Sequence, residues 1–137
     1  MNGPILLLGA AFAAVLSVPA VAAPVTLVAT LSGANEPGGG DADGTGAFTV
    51  EIDADAGDFC YTLTADKVDK VTMAHVHTGA AGVNGPPVVT LELGSDICVA
   101  VEPDVLKPIV ADADGYYVNV HNAAYPGGAV RGQLAKK

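Results

Sequence analysis

GAFTVEIDADAGDFCYTLTA, residues 46–65, is the stretch that decides the fold class. In its first seven residues Phe48, Val50 and Ile52 fall on one side, and Ala47, Thr49 and Glu51 on the other. That two-residue period belongs to a strand with one buried face. Asp53–Asp58 (DADAGD) has turn chemistry, since Asp and Gly satisfy or relax the local backbone. Phe59–Ala65 then alternates again, with Phe59, Tyr61 and Leu63 pointing inward. Two alternating runs around a short polar turn predict a β-hairpin.

The rest of the chain has the same texture. Val25–Ser32 is β-branched and strand-like, and the Gly-rich stretch 33–45 reads as a loop. Strands are predicted at Val71–His77, Val88–Leu93 and Ile97–Val101, then at Tyr116–His121 and Ala129–Leu134. Glu102–Ile109 reads as a single helical turn, with Pro103 at an early helical position. About eight short strands with no long helical period predict an all-β fold, an antiparallel sandwich or barrel. The 17 Gly and 9 Pro disfavour a helical bundle.

Of the 137 residues, the first 23 read as a signal peptide. Residues 5–23 are apolar and end in small side chains suited to cleavage. A retained anchor is the alternative, because the segment is about long enough to cross a bilayer. Residues 24–137 then form one domain, secreted or periplasmic, with no membrane association after cleavage. Fifteen acids against six bases give a net charge of −9, which excludes a nucleic-acid footprint. Cys60 and Cys98 are the only cysteines, and an exported domain predicts a disulfide between them. Closing a loop of about 39 residues contributes roughly 4 kcal/mol in the chain-entropy model. The DADAGD turn departs from a calcium loop, so it is read as an ordinary turn.

Chemistry rests on three histidines. His75 and His77 share one face of a predicted strand with Met73, while Thr72, Ala74 and Val76 take the other. In the strand at 116–121, His121 shares a face with Tyr117 and Asn119. If the two strands are neighbours, all three imidazoles converge on one outer sheet face. Imidazole suits copper and zinc, and a thioether from Met73 would favour Cu(I). Tyr117 and Asn119 would support the ligands from beside them. Surface histidines without a metal are the competing reading. No serine lies in a nucleophile elbow, and the Gly38-Gly39-Gly40 run lacks the helix and lysine of a phosphate loop. Arg131, the only arginine, is expected to pair with a carboxylate or backbone carbonyls and fix the last strand.

Several segments together resemble the CHRD domain, the module first named from chordin. They are LSGANEP (31–37), AHVHTGAAG (74–82) with NGP (84–86), and YVNVHN (117–122) with YPGG (125–128) and VRGQL (130–134). The resemblance spans nearly all of residues 25–135. It implies an extracellular module, found in chordin and as single exported bacterial domains, with no general biochemical role assigned. The HVH strand also resembles the copper strand of copper–zinc superoxide dismutase. The expected fold is accordingly immunoglobulin-like or superoxide-dismutase-like. Only His75, His77 and His121 match a copper-type set; a bridging histidine and a His-rich zinc loop are missing, which counts against dismutase activity.

The sequence therefore predicts an exported CHRD-type domain that binds copper through His75, His77 and His121, with Met73 as a soft fourth ligand and zinc as the alternative metal. Copper handling or storage is the expected role. A homodimer that buries the metal between subunits would suit ligands on an open face. A metal-free module for protein or glycan partners is the rival. Enzymatic activity ranks last, and a copper-dependent redox reaction is the best supported of that class.

Overall fold

Alternation sets the two longest strands. In the computed structural model, which describes Ser17 and residues 22–137, the hairpin pairs β2 (Thr45–Asp53) with β3 (Asp58–Asp66) over their full length. The expected signal segment lies almost wholly outside the described residues. Phe48, Val50, Ile52, Phe59, Tyr61 and Leu63 are all buried, and Phe48, Phe59 and Tyr61 pack ring against ring at 5.6–6.3 Å. Asp53 Oδ1 accepts the backbone N–H groups of Asp55 and Ala56, which makes the turn self-contained. Gly57 completes it at φ +81°, where a side chain would strain the backbone.

The other strands are β1 (Val25–Ser32), β4 (Val71–Thr78), β5 (Pro87–Leu91), β6 (Gly94–Ala100), β7 (Tyr116–Asn122), β8 (Val130–Gln133) and the two-residue β9 (Ala135–Lys136). Eight of them run β5-β4-β7-β8-β1-β2-β3-β6 in one antiparallel sheet, and β9 adds to β1. The two ends of that path, β5 and β6, are joined by residues 92–93 alone. A sheet whose far edges are two residues apart must curl back on itself, and the result is a half-barrel around one core. Ala74, Val76, Val118 and Val120 from one side of the curl meet Phe48, Val50 and Phe59 from the other in a single apolar cluster. The predicted all-β architecture is therefore the observed one.

Two expectations need adjustment. The helical turn is a nine-residue helix, α1 (Pro103–Ala111), which lays Leu106 and Ile109 into the core and contains Pro108. The last predicted strand, Ala129–Leu134, is shortened to β8, and the unpredicted β9 follows beyond Leu134, whose side chain is buried in the core. Cys60 and Cys98 stand opposite each other on β3 and β6 and form the disulfide. Among the described residues, no helix is long and apolar enough to cross a membrane.

Candidate metal centre

The site grows from the pairing of β4 with β7. Their register sets Met73 opposite His121, His75 opposite Asn119 and His77 opposite Tyr117. Residues directly opposite on neighbouring strands share a face. Strand parity alone thus carries His75, His77, His121, Met73, Tyr117 and Asn119 to one side, away from the core residues Ala74, Val76, Val118 and Val120. The two strands are indeed neighbours, as convergence of the imidazoles requires.

The ligating nitrogens of His75, His77 and His121 lie within 4.8 Å of one another. Two metal–nitrogen bonds of about 2 Å span about 4 Å, so a small rotation of the rings brings the set onto one ion. His75 meets the rings of both His77 and His121 edge-on, at 5.3 and 5.4 Å between centroids. The backbone decides which nitrogens are offered. The Nδ1–H of His77 donates to Gly85 O at 2.8 Å, and that of His121 donates to Pro126 O at 3.0 Å. Each ring then keeps an Nε2 lone pair. The Nε2 of His121 lies 3.4 Å from His75 Nδ1, and the Nε2 of His77 is buried with no partner. A second hydrogen bond that fixes the tautomer is the usual support of a metal-bound imidazole.

The electrostatics favour neutral rings. Burial pushes the His75 imidazole below its ordinary pKa, and His121 and His77 push it further. Burial lowers His77 as well, aided by His121 and Arg131, while its bond to Gly85 works the other way. Neutral imidazole is the form that binds a metal.

In one respect the structure departs from the sequence reading. The face is outside the core, but it is not open. His77 and His121 are only 8% and 7% exposed, and Asn119 only 1%. Loops 33–44, 79–86 and 123–129 of the same chain fold over them, with Asp41 N–H donating to Ala129 O to join the first loop to the third. Loops of the same chain thus already shield these two imidazoles from solvent. Only the His75 edge remains partly accessible, next to Met73 at 50% exposure.

Under those loops lies a polar layer in which Arg131, Tyr117 and Asn119 were expected and the rest was not. Arg131 pairs with Glu36 (Nε to Oε2, 3.6 Å), as the expectation of a carboxylate partner required. It also donates to Val83 O at 3.2 Å and Asn84 Oδ1 at 2.8 Å, and its guanidinium carbon lies 3.5 Å from the Tyr117 ring centroid. Tyr117 in turn stacks on His77 at 4.9 Å and 7°. Burial pushes the Glu36 carboxyl above its ordinary pKa, against the pull of Arg131. Glu36 and Asn84 were missed as site residues. The quoted motifs contained both, but nothing in those motifs says which acid meets Arg131.

Fold and site together define a small antiparallel β-domain that carries a shielded three-imidazole cluster. A family model for the CHRD domain matches residues 27–134, and the chain belongs to that family. Neither the comparison with curated proteins nor that with solved structures returned a match.

Proposed function

We propose that this CHRD protein is exported by a signal peptide over residues 1–23 and binds copper at His75, His77 and His121, in copper handling or storage outside the cytoplasm. The observation that carries the reading is the fixed tautomer of two rings: with both Nδ1–H groups given to backbone carbonyls, the Nε2 lone pairs of His77 and His121 are left for an ion. A disulfide fits an oxidising compartment, and the acidic surface draws cations. Imidazole alone accepts zinc too. The thioether of Met73, across from His121, tilts the choice toward Cu(I).

Calorimetric titration of the metal-free protein with Cu(I), Cu(II) and Zn(II) tests this, against a His75→Ala/His121→Ala variant. The wild type is expected to bind one copper ion at least 100-fold more tightly than the variant. Equal weak binding by both removes the metal reading and leaves a metal-free module that engages protein or glycan partners.

A further inference from the structure

The metal centre explains why three histidines meet, but not why a lone arginine is buried beside them. Arg131 is 2% exposed, on β8, and β8 pairs with β7 rather than β4. It makes no hydrogen bond to any imidazole. Its two terminal nitrogens instead hold consecutive residues, Val83 through its carbonyl and Asn84 through its side-chain oxygen. The next residue is Gly85, whose carbonyl accepts the His77 Nδ1–H. Gly85 N–H donates to the Tyr117 hydroxyl at 3.2 Å. The ring of that tyrosine lies flat against His77 and carries the guanidinium. Two routes thus run from one arginine to one imidazole. The first passes along the backbone of residues 83–85 and the second through the Tyr117 ring.

Room at this point is scarce. A Cβ on Gly85 would overlap the Thr78 carbonyl, so the loop rests directly on the end of β4. Thr78 N–H donates to Pro86 O at 3.1 Å and pins the loop again one residue further on. Within such a seat, the direction of the Gly85 carbonyl follows from what holds residues 83 and 84. A guanidinium is suited to that task, because its planar fork meets two acceptors at once and stacks on an aromatic face, which an ammonium does not.

We propose that Arg131 is a positioning residue for the metal centre: through loop residues 83–85 and the Tyr117 ring it fixes His77 as the Nδ1–H tautomer, with Nε2 directed at the ion. The consequence for metal binding rests on the copper reading above. The tautomer itself does not, and it can be read in the metal-free protein.

Long-range ¹H–¹⁵N spectra of the histidine rings give the tautomer directly. In wild-type protein His77 is expected to show one protonated nitrogen, Nδ1. In Arg131→Gln the two ring nitrogens should move toward a common averaged shift while His75 changes little. Cu(II) affinity should fall at least tenfold in the same variant, and the electron paramagnetic resonance signature of bound Cu(II) should change. Arg131→Lys, with one ammonium in place of a fork, should recover less than half of the tautomer preference. Where loss of the buried charge pair prevents folding, Glu36→Gln/Arg131→Gln removes both charges and carries the same measurement. An unchanged His77 tautomer in a folded Arg131 variant overturns the proposal. A tautomer that depends on Arg131 in a protein that binds no copper upholds it and sinks only the copper reading.

Discussion

The two faces of β7 are buried to nearly the same degree by different means. On the inner face Val118 and Val120 are fully covered by other apolar side chains of the core. On the outer face Tyr117, Asn119 and His121, with Arg131 beside them on β8, are covered almost as well, by loops that carry backbone carbonyls and polar side chains. Area removed from water holds the inner face, and it has no preferred direction. Directed hydrogen bonds hold the outer face, and each fails if its partner moves. Among the described residues, four of the five buried side-chain atoms found without a partner sit in this outer layer: Glu36 Oε1, His77 Nε2, Asn119 Oδ1 and Arg131 Nε; the fifth, Asn122 Nδ2, lies at the end of β7. Native folds leave few such atoms, and where they gather the site is often reserved for something other than stability. One strand thus serves two purposes, with its odd and even positions answering to different physics.

Exchange of chemistry between adjacent positions breaks the comparison most severely. Val118 and Asn119 are neighbours on β7 with 0% and 1% exposure. Val118→Asn loses an apolar side chain from the core and strands an amide there, at a cost of about 3–5 kcal/mol. Asn119→Val, equally buried, removes an oxygen that has no partner together with the amide that hydrogen-bonds the Glu36 carboxylate, and is expected to cost about 1–2 kcal/mol. Urea unfolding of both variants measures the contrast. Equal losses would mean that the outer layer is held together as the core is.

Acid should act on the outer face alone. His75 and His77 have folded-state pKa values below their ordinary value of 6.5. The unfolded chain therefore takes up protons first as pH falls, and stability of the metal-free protein drops below about pH 6.5. Glu36 is shifted the opposite way, upward from 4.5, so its own contribution grows as pH falls. The two can be separated by comparison with His75→Ala/His77→Ala. That variant should lose the decline between about pH 6.5 and 5.5 that wild type shows in chemical denaturation. A decline of the same size in both proteins would assign it to other groups.

How much of this could be read from the sequence depends on the period of each segment. Strand alternation is a property of the backbone, so the inward set of the β2–β3 hairpin and the shared face of His75, His77 and His121 were legible from spacing. The sheet order was not, because nothing local states that β7 lies between β4 and β8. The loop layer was the least legible part. The stretches at 33–44, 79–86 and 123–129 are rich in Gly, Pro and Asn and have no period, so nothing in them foretold that they would cover the imidazoles. Arg131 was expected to meet a carboxylate, but with 15 acids to choose from, Glu36, far away in the chain, could not be singled out. Gly85 and Pro126 contribute backbone groups alone, which carry no side-chain signature; position makes them supports of the site.

The smallest expected effect lies at the rim where the two regimes end. Met73 shares the imidazole face by parity and stands opposite His121, yet half of it is exposed and the covering loops do not reach it. Its removal takes little from the fold: Met73→Ala should change stability by less than about 0.5 kcal/mol, as surface substitutions generally do. Its value as a ligand is separate from its value in packing, because a thioether is a soft donor that prefers Cu(I) over Cu(II) or Zn(II). Met73→Ala should therefore weaken Cu(I) severalfold in a competition titration and leave Cu(II) and Zn(II) affinities unaltered. Met73→Leu, which keeps the bulk and loses the sulfur, should behave in the same way. Equal weakening of all three ions would point to disturbed strand geometry, and no change for Cu(I) would restrict the centre to its three imidazoles. The exposed edge at His75 and Met73 would then serve as the route of entry for the ion and not as part of its coordination.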